Sequence, residues 1–455
     1  MFKRIIYVLV LIVAVNCSNS SQEVEQIISK EKGIKTSLDY INYNWWLSLN
    51  DKNLERYILK GVLNNNDLRV SNLKIDEYSE YVKYTFGLEL PTLSTGVNYS
   101  NIKKLPMGNM DMKSDSITLP LTVSYELDLF GKNRRKTKST KLQLESYKYQ
   151  LHSSYISFVS GLSTLYFNIM KYNGILDYYE QLIQIENQIL DNITLKNLNG
   201  LLTETEINET KQNIKKLNNE KMDLSKVRDS LLTQFAVMLG EDPNNIKSLK
   251  ISKLDELEAL ESKMLMPIST DIIFKRPDVM AYEKEMEKAK IDIEVARREF
   301  LPTLSIDGSF VFNNIASGGF FSSTNTIKAL MAGASQTLFV GGRKKTNLAM
   351  MNFKYEQMFE NYKKVTLQAI KEINDSLMNI FYDLIINNNN EQNLLMEFDS
   401  YKNDKIKYKN GLISRIDLLT QKRKLIQLKI DFVSSKIQNY IDCISLYKSV
   451  AGQIN

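Results

Sequence analysis

The stretch RKKTNLAMMNFKYEQMFENYKKVTLQAIKEINDSLMNIFYDLIINNNNEQNLLMEFDSYKNDKIKYKN, residues 343–410, contains neither Gly nor Pro. Apolar residues recur in it at steps of three and four (Met358, Tyr362, Val365, Ala369, Ile373, Leu377, Ile380, Leu384), the spacing of one buried helical face. A helix of that length is a rod of roughly 100 Å, against the ~10 to 14 residues usual in globular proteins. No compact core can enclose it. Residues 132–199 form a second stretch of like length, interrupted only by Gly161 and Gly174, each costing about 1 kcal/mol relative to Ala.

The flanks of the two stretches repeat. Leu-Pro-Thr-Leu-Ser occurs at 90–94 and again at 301–305. Leu129-Phe130 leads into Arg134-Arg135-Lys136-Thr137, and Leu338-Phe339 leads at the same distance into Arg343-Lys344-Lys345-Thr346. Each rod then ends at Asn-Gly-Leu, residues 199–201 and 410–412, before a polar turn and a further helical run. Three landmarks in one order, about 210 residues apart, make the chain two copies of one unit: strand, strand, rod, turn, returning helix.

Between Pro91 and the first rod the period changes to two. Leu93, Thr95, Val97 and Tyr99 alternate with Ser94, Gly96, Asn98 and Ser100, and Leu121, Val123, Tyr125, Leu127 and Leu129 alternate with Thr122, Ser124, Glu126 and Asp128. In the second copy Leu304, Ile306, Phe310 and Phe312 stand against Ser305, Asp307, Ser309 and Asn313, and a less regular partner is expected from Ile327 to Phe339. One apolar and one polar face suit strands between lipid and a water-filled lumen. Four strands cannot close a barrel, and open edges are not tolerated in lipid. Several chains must then share one barrel, a dimer at the least, and a trimer gives twelve strands.

Ahead of the first copy, Lys3 and Arg4 precede an apolar run, Ile5 to Val15, that is too short to span a bilayer and reads as a signal peptide. Ala14-Val15-Asn16-Cys17-Ser18 resembles the lipobox of bacterial lipoproteins, with Asn16 in place of the usual small residue, so Cys17 is the expected lipid anchor. The resulting division is 1–16 signal peptide, 17–36 tether, and 37–250 first repeat, with strands about 90–130, long helix 132–199 and return helix 202–240. An equatorial insert occupies 241–270. The second repeat fills 271–455, with strands about 302–339, long helix 343–410 and return helix 414–452. Asn44-Trp45-Trp46 together with Leu54, Ile58, Val62 and Leu63 reads as a short amphipathic helix, and Asn65-Asn66-Asp67 as the N-cap of a helix to about Gly87.

Two cysteines and one histidine leave no His/Cys metal cluster, and His152, the sole candidate for a catalytic triad, lies inside the first rod. Cys443, near Leu446 and Tyr447, reads as a small core residue. Gly341-Gly342 lacks the spacing of a nucleotide loop. The net charge of +6 comes from 59 basic residues dispersed among 53 acidic ones, which argues against a nucleic-acid partner. The chain is therefore not expected to be an enzyme or to hold a cofactor.

Glu126-Leu127-Asp128-Leu129-Phe130-Gly131, Lys275-Arg276-Pro277-Asp278-Val279 with Ala289, Ile293, Ala296, Arg297 and Leu301-Pro302, Leu338-Phe339-Val340-Gly341-Gly342-Arg343, and Tyr408-Lys409-Asn410-Gly411-Leu412 with Asp417 resemble the outer-membrane efflux proteins of the TolC type, in the lipoprotein branch typified by OprM. The resemblance covers nearly all of the mature chain. It implies a mostly α fold with membrane β: a homotrimer of long antiparallel helical hairpins forming an α-barrel, continued by a shared 12-stranded outer-membrane β-barrel. The implied function is a passive duct for drugs or other small molecules, coupled through a periplasmic adaptor to an inner-membrane pump. A type I protein-secretion channel and a lipid-anchored coiled-coil scaffold are the competing readings.

Particular residues follow. Gly200, Leu201, Gly411 and Leu412 sit where each rod turns back, and the resemblance implies that these tips dock the adaptor. Asp417, with Glu206 at the same place in the first copy and Tyr408 as partner, is the candidate gate, because symmetry would gather Asp417 into a carboxylate ring. Arg134, Arg135, Lys136, Arg343, Lys344 and Lys345 follow the membrane strands, where they can meet inner-leaflet phosphates of the outer membrane or stand in solvent.

Overall fold

The computed structural model describes residues 45–102, 106–107, 110–111, 114–244, 249–254, 271–313 and 326–452. The signal peptide, Cys17, the tether and most of the insert 241–270 lie outside them. The helices are α1 (Lys52–Asn64), α2 (Asn66–Gly87), α3 (Lys132–Leu198), α4 (Glu204–Met238), α5 (Asp271–Phe274), α6 (Pro277–Arg298), α7 (Arg343–Lys409) and α8 (Arg415–Ser449). The strands are β1 (Thr92–Thr95), β2 (Asn98–Ile102), β3 (Pro106–Met107), β4 (Met110–Asp111), β5 (Ser114–Leu127), β6 (Thr303–Asn313) and β7 (Thr326–Ser335).

The duplication is written into the element lengths. Helices α2 and α6 have 22 residues each, α3 and α7 have 67, and α4 and α8 have 35. Each pair is displaced by 211 positions, Asn66 to Pro277, Lys132 to Arg343 and Glu204 to Arg415. Gly161 and Gly174 stay inside α3, where a Cβ would meet Met238 Cε at 3.6 Å and Val433 Cγ1 at 3.5 Å. Both are ordinary van der Waals distances, so neither position demands glycine for packing.

By compactness the chain divides into two units. One takes in Leu73–Tyr149 and Met280–Lys364, and the other Thr36–Asn72, Gln150–Val279 and Val365–Asn455. The first holds the main antiparallel sheet, in the order β1–β5–β6–β7 with β2 also paired to β5. β1 and β2 are one strand interrupted. Thr92 pairs with Ser124 and Asn98 with Thr118 in the same register, and the gap lies opposite Pro120. The Gly96 amide donates to the Pro120 carbonyl at 3.3 Å, but proline has no N–H to return the bond. The expected four strands are thus present, with a small β3–β4 hairpin added. Two boundaries differ from expectation: β5 stops at Leu127, so Leu129 and Asp128 lie beyond it, and β7 stops at Ser335 rather than Phe339.

In the second unit α3 supplies Ile175, Leu182, Ile185, Ile189 and Ile193 to a core completed by Leu419, Ile426 and Ile430 of α8. Ile373 and Ile380 of α7 meet Leu446 and Val450 in another. Aromatic rings fill the space between helices, with Phe167 stacked on Tyr440 at 5.2 Å and Tyr57 edge-on to Phe235 at 5.2 Å. His152 is part of α3, where burial lowers its pKa. Burial, and then the charge of Asp442, push the Cys443 thiol up to about 12.

The expected single helix after Trp45 is two pieces, a 3-10 turn Trp45–Leu49 and α1. Asn50 turns the chain at φ +50°, and Asp51 then caps α1 by accepting from the Asn53 and Leu54 amides. The other Asp51 oxygen accepts from the Tyr166 hydroxyl at 2.7 Å, and that hydroxyl accepts from the Ser252 amide at 3.0 Å. Asn65 does cap α2, accepting from the Asp67 and Leu68 amides.

Its amide also closes the far end of the returning helix. Asn65 Nδ2 donates to the Met238 carbonyl at 3.1 Å, and Arg276 Nη1, 211 positions on, donates to the Ser449 carbonyl at 2.7 Å. Both satisfy a carbonyl that a helix C-terminus leaves without a partner. Arg276 is buried. That burial works against its charge, but Asp278 and Glu372 outweigh it and raise the pKa.

Candidate functional site

The sheet has two chemically distinct faces. On one, Leu121 pairs with Phe310, Tyr125 with Ile306 and Leu127 with Leu304, while Val123 lies opposite Leu93. This apolar face is open in the single chain, with Leu93 68% and Leu330 80% exposed. The other face is a ladder of side-chain hydrogen bonds. Ser94 and Thr122 hydroxyls lie 2.6 Å apart, Ser100 and Ser116 2.9 Å, and Asp307 accepts from Ser124 at 2.6 Å and from Ser305 at 2.9 Å. The β1/β2 edge and the β7 edge have no strand partner among the described residues. β7 breaks the alternation: Met331 and Ala329 stand opposite Asp307 and Ser309, and Lys328 stands opposite Phe310.

Asp128, expected on the polar face of the strand, instead caps α3. It accepts from the Asn133 amide at 3.1 Å and the Arg134 amide at 2.9 Å, placing a negative charge at the positive end of the helix dipole.

The two rod ends share one design. Gly200 and Gly411 sit at φ +74° and +71°, a conformation that costs glycine little. The amides of Gly200 and Leu201 donate to the Asn197 and Lys196 carbonyls, and those of Gly411 and Leu412 to the Tyr408 and Lys407 carbonyls, closing a Schellman motif each time. Leu201 and Leu412 are both 71% exposed, so the leucine after each tip glycine faces solvent.

After each tip a capping box starts the return helix. Glu206 accepts from the Thr203 amide at 3.1 Å and from its hydroxyl, and Asp417 accepts from the Ser414 amide at 2.9 Å and its hydroxyl at 2.7 Å. The hydroxyl bond, then the amides, hold both acids below the usual carboxylate range. Both Asp417 contacts use Oδ2, and Tyr408 is exposed and takes no part in them.

The six basic residues after the strands differ in their partners. Arg134 bonds the Asp128 carboxylate at 3.4 Å and carbonyl at 3.1 Å, and Arg135 bonds Glu294 at 2.5 Å. Arg343 and Lys344 donate to the Val340 and Thr337 carbonyls. Lys136 is half-buried and Lys345 exposed.

Sequence reasoning missed two ion pairs between helices of the second unit. Arg423 of α8 reaches the buried Glu186 of α3, and Lys424 reaches the buried Glu397 of α7, each at 2.7 Å. Glu186 and Glu397 are 211 positions apart. That recurrence is the one signal that could have singled them out among many helical glutamates.

A sequence profile of the family described as outer membrane efflux protein matches residues 61–241 and 270–452. The cation efflux system protein CusC of Escherichia coli K12 is 22% identical over 445 residues, covering 94% of this chain and 93% of CusC. The probable outer membrane lipoprotein SilC of Salmonella typhimurium is 23% identical over 433 residues, covering 91% and 88%. Among solved structures, the CmeC outer membrane channel of Campylobacter jejuni has a TM-score of 0.82 at 20% identity, covering 91% of this chain and 89% of that one. With the profile spanning well over half of the sequence, this chain belongs to the outer membrane efflux protein family.

Proposed function

We propose that this protein is the passive exit duct of a tripartite efflux system, in which three copies pool their strands into one twelve-stranded barrel and meet a periplasmic adaptor and an inner-membrane pump. The observation that carries the reading is the sheet. It has an exposed apolar face, a hydrogen-bonded polar face and two strand edges without partners. Lipid does not accept open edges, and neighbouring copies would pair them. The exposed apolar residues of α7, Phe353, Leu367, Phe381 and Phe398 among them, are likewise available to a neighbouring copy.

The duct performs no catalytic step. Its cargo is small molecules, cations included, by likeness to the relatives whose names describe cation efflux. Gly200-Leu201 and Gly411-Leu412 dock the adaptor. Asp417 lines the closed entrance as a ring of three, with Tyr408 and Glu206 beside it. Arg134, Arg135, Lys136, Arg343, Lys344 and Lys345 face inner-leaflet phosphates, and Cys17 carries a covalent lipid, which a Cys17→Ser variant that fails to take up labelled palmitate would register.

Deletion and complementation test the function. Cells lacking the protein accumulate a fluorescent efflux substrate and metal salts, and the intact gene restores export. Normal accumulation in the deletion strain, together with loss of a secreted polypeptide from the medium, assigns the duct to protein secretion instead.

A further inference from the structure

Asp442 lies inside α8 and is 3% exposed. Its Oδ1 accepts from Gln438 Nε2 at 3.0 Å, but among the described residues no donor reaches its Oδ2. The side chain within hydrogen-bonding reach is another acid, Asp383 of α7. Ionised carboxylates only accept hydrogen bonds. Two of them in contact, one buried, repel each other and leave a desolvated oxygen unpaired. A proton held between them supplies the missing donor and removes the repulsion.

The duplication supplies an internal control. At the positions 211 earlier stand Tyr172 and Leu231, both half-buried. The first copy therefore packs the same helix pair without acids at these two positions, and the fold does not require them there in the second.

The groups acting on Asp442 are the Asp383 carboxyl and the Gln438 amide. The adjacent Cys443 thiol stays neutral, and the α3 residue stacked on neighbouring Tyr440 is the uncharged Phe167. No basic residue is among them. Asn439 Oδ1, three residues earlier on α8 and also buried, likewise has no donor among the described residues.

We propose that Asp383 and Asp442 share a single proton that fastens α8 to α7, and that losing it at alkaline pH loosens this helix pair. Burial first, and then the Asp383 hydrogen bond, raise Asp442 to about 7. A folded-state pKa above the unfolded value means that the fastening is complete below the ordinary Asp range and is lost as pH rises through about 7.

Hydrogen exchange on the intact protein in detergent tests this, read in peptides spanning 376–390 and 436–446 and corrected for intrinsic rates, between pH 5.5 and 8.5. The wild type is expected to open about thirtyfold more at the alkaline end, each pH unit between 5.5 and about 7 corresponding to a factor of ten. Asp442→Asn, whose amide replaces the shared proton as donor, is expected to remain protected at both ends, and Asp383→Asn likewise. A wild type without pH dependence, or an Asp442→Asn variant with the same dependence, overturns the proposal. So does protection restored at pH 8.5 by millimolar Ca²⁺ in the wild type alone, which would give these oxygens to a cation. The readout is independent of transport, so it stands apart from the proposed duct.

Discussion

Arg423 Nη1 lies 2.7 Å from Glu186 Oε1, and the Glu186 side chain is 3% exposed while that of Arg423 is 43% exposed. With Lys424 on Glu397, consecutive residues of α8 hold the matching glutamates of α3 and α7. Arg423→Gln strands a buried carboxylate. Breaking a fully buried pair costs ~3 to 5 kcal/mol, and solvent screening at Arg423 reduces the expected loss to about 2 kcal/mol. Thermal unfolding in detergent is expected to show a lowered midpoint that the double variant Glu186→Gln/Arg423→Gln largely recovers.

The ends of the return helices differ by one residue type. Gly240 has φ +70°, and a Cβ there would meet the Asn64 carbonyl oxygen at 2.6 Å. Its counterpart 211 positions later is Ala451, at φ +51°. An L-residue in this region is strained by roughly 1 to 2 kcal/mol, part of which the greater freedom of glycine in the unfolded chain cancels. Ala451→Gly is therefore expected to raise the unfolding midpoint and Gly240→Ala to lower it, the latter by more because of the added clash.

The capping boxes give the tips an acid limit. Asp417 and Glu206 have folded-state pKa values below their unfolded ones, so their contribution is present above the ordinary carboxylate range and is lost as pH falls through the lowered values. Fraying at the start of α4 and α8, followed by amide exchange, is expected to rise below about pH 4. Asp417→Asn should remove the dependence in α8 and leave it in α4.

The docking and gating roles proposed for the tips make separate predictions. Leu412→Asp changes an exposed side chain with no packing to lose, so the protein should still reach the outer membrane while efflux in cells falls to the level of the deletion strain. Asp417→Ala should change single-channel conductance and cation block. Unchanged efflux, or unchanged current, removes the respective role and leaves a Schellman motif and a helix cap.

The rods were legible to within a residue because neither Gly nor Pro breaks α7 and because the 211-residue repeat predicts each boundary twice. The break in the first strand was not, because it depends on Pro120 lying opposite Gly96, a matter of register. β7 was read poorly because Lys328, Gly333 and three alanines blur its alternation, and its pairing with β6 fixes it instead. Glu186, Glu397, Asp383 and Asp442 look like solvated helix acids in sequence. Only packing between helices distinguishes them, and no local pattern encodes which helix lies opposite. Asp128 was misplaced for a related reason: alternation continues two residues past the last strand pair, to Leu129, and the carboxylate finds two helix amides instead.

Recording from purified protein added to a planar lipid bilayer tests most directly whether these chains combine their strands into a channel. Stepwise insertion of uniform ohmic conductances, lost when the sample is dissociated to monomers by heating, is the expected result. A water-soluble monomer that never inserts and passes no current would contradict the shared barrel and the efflux duct with it.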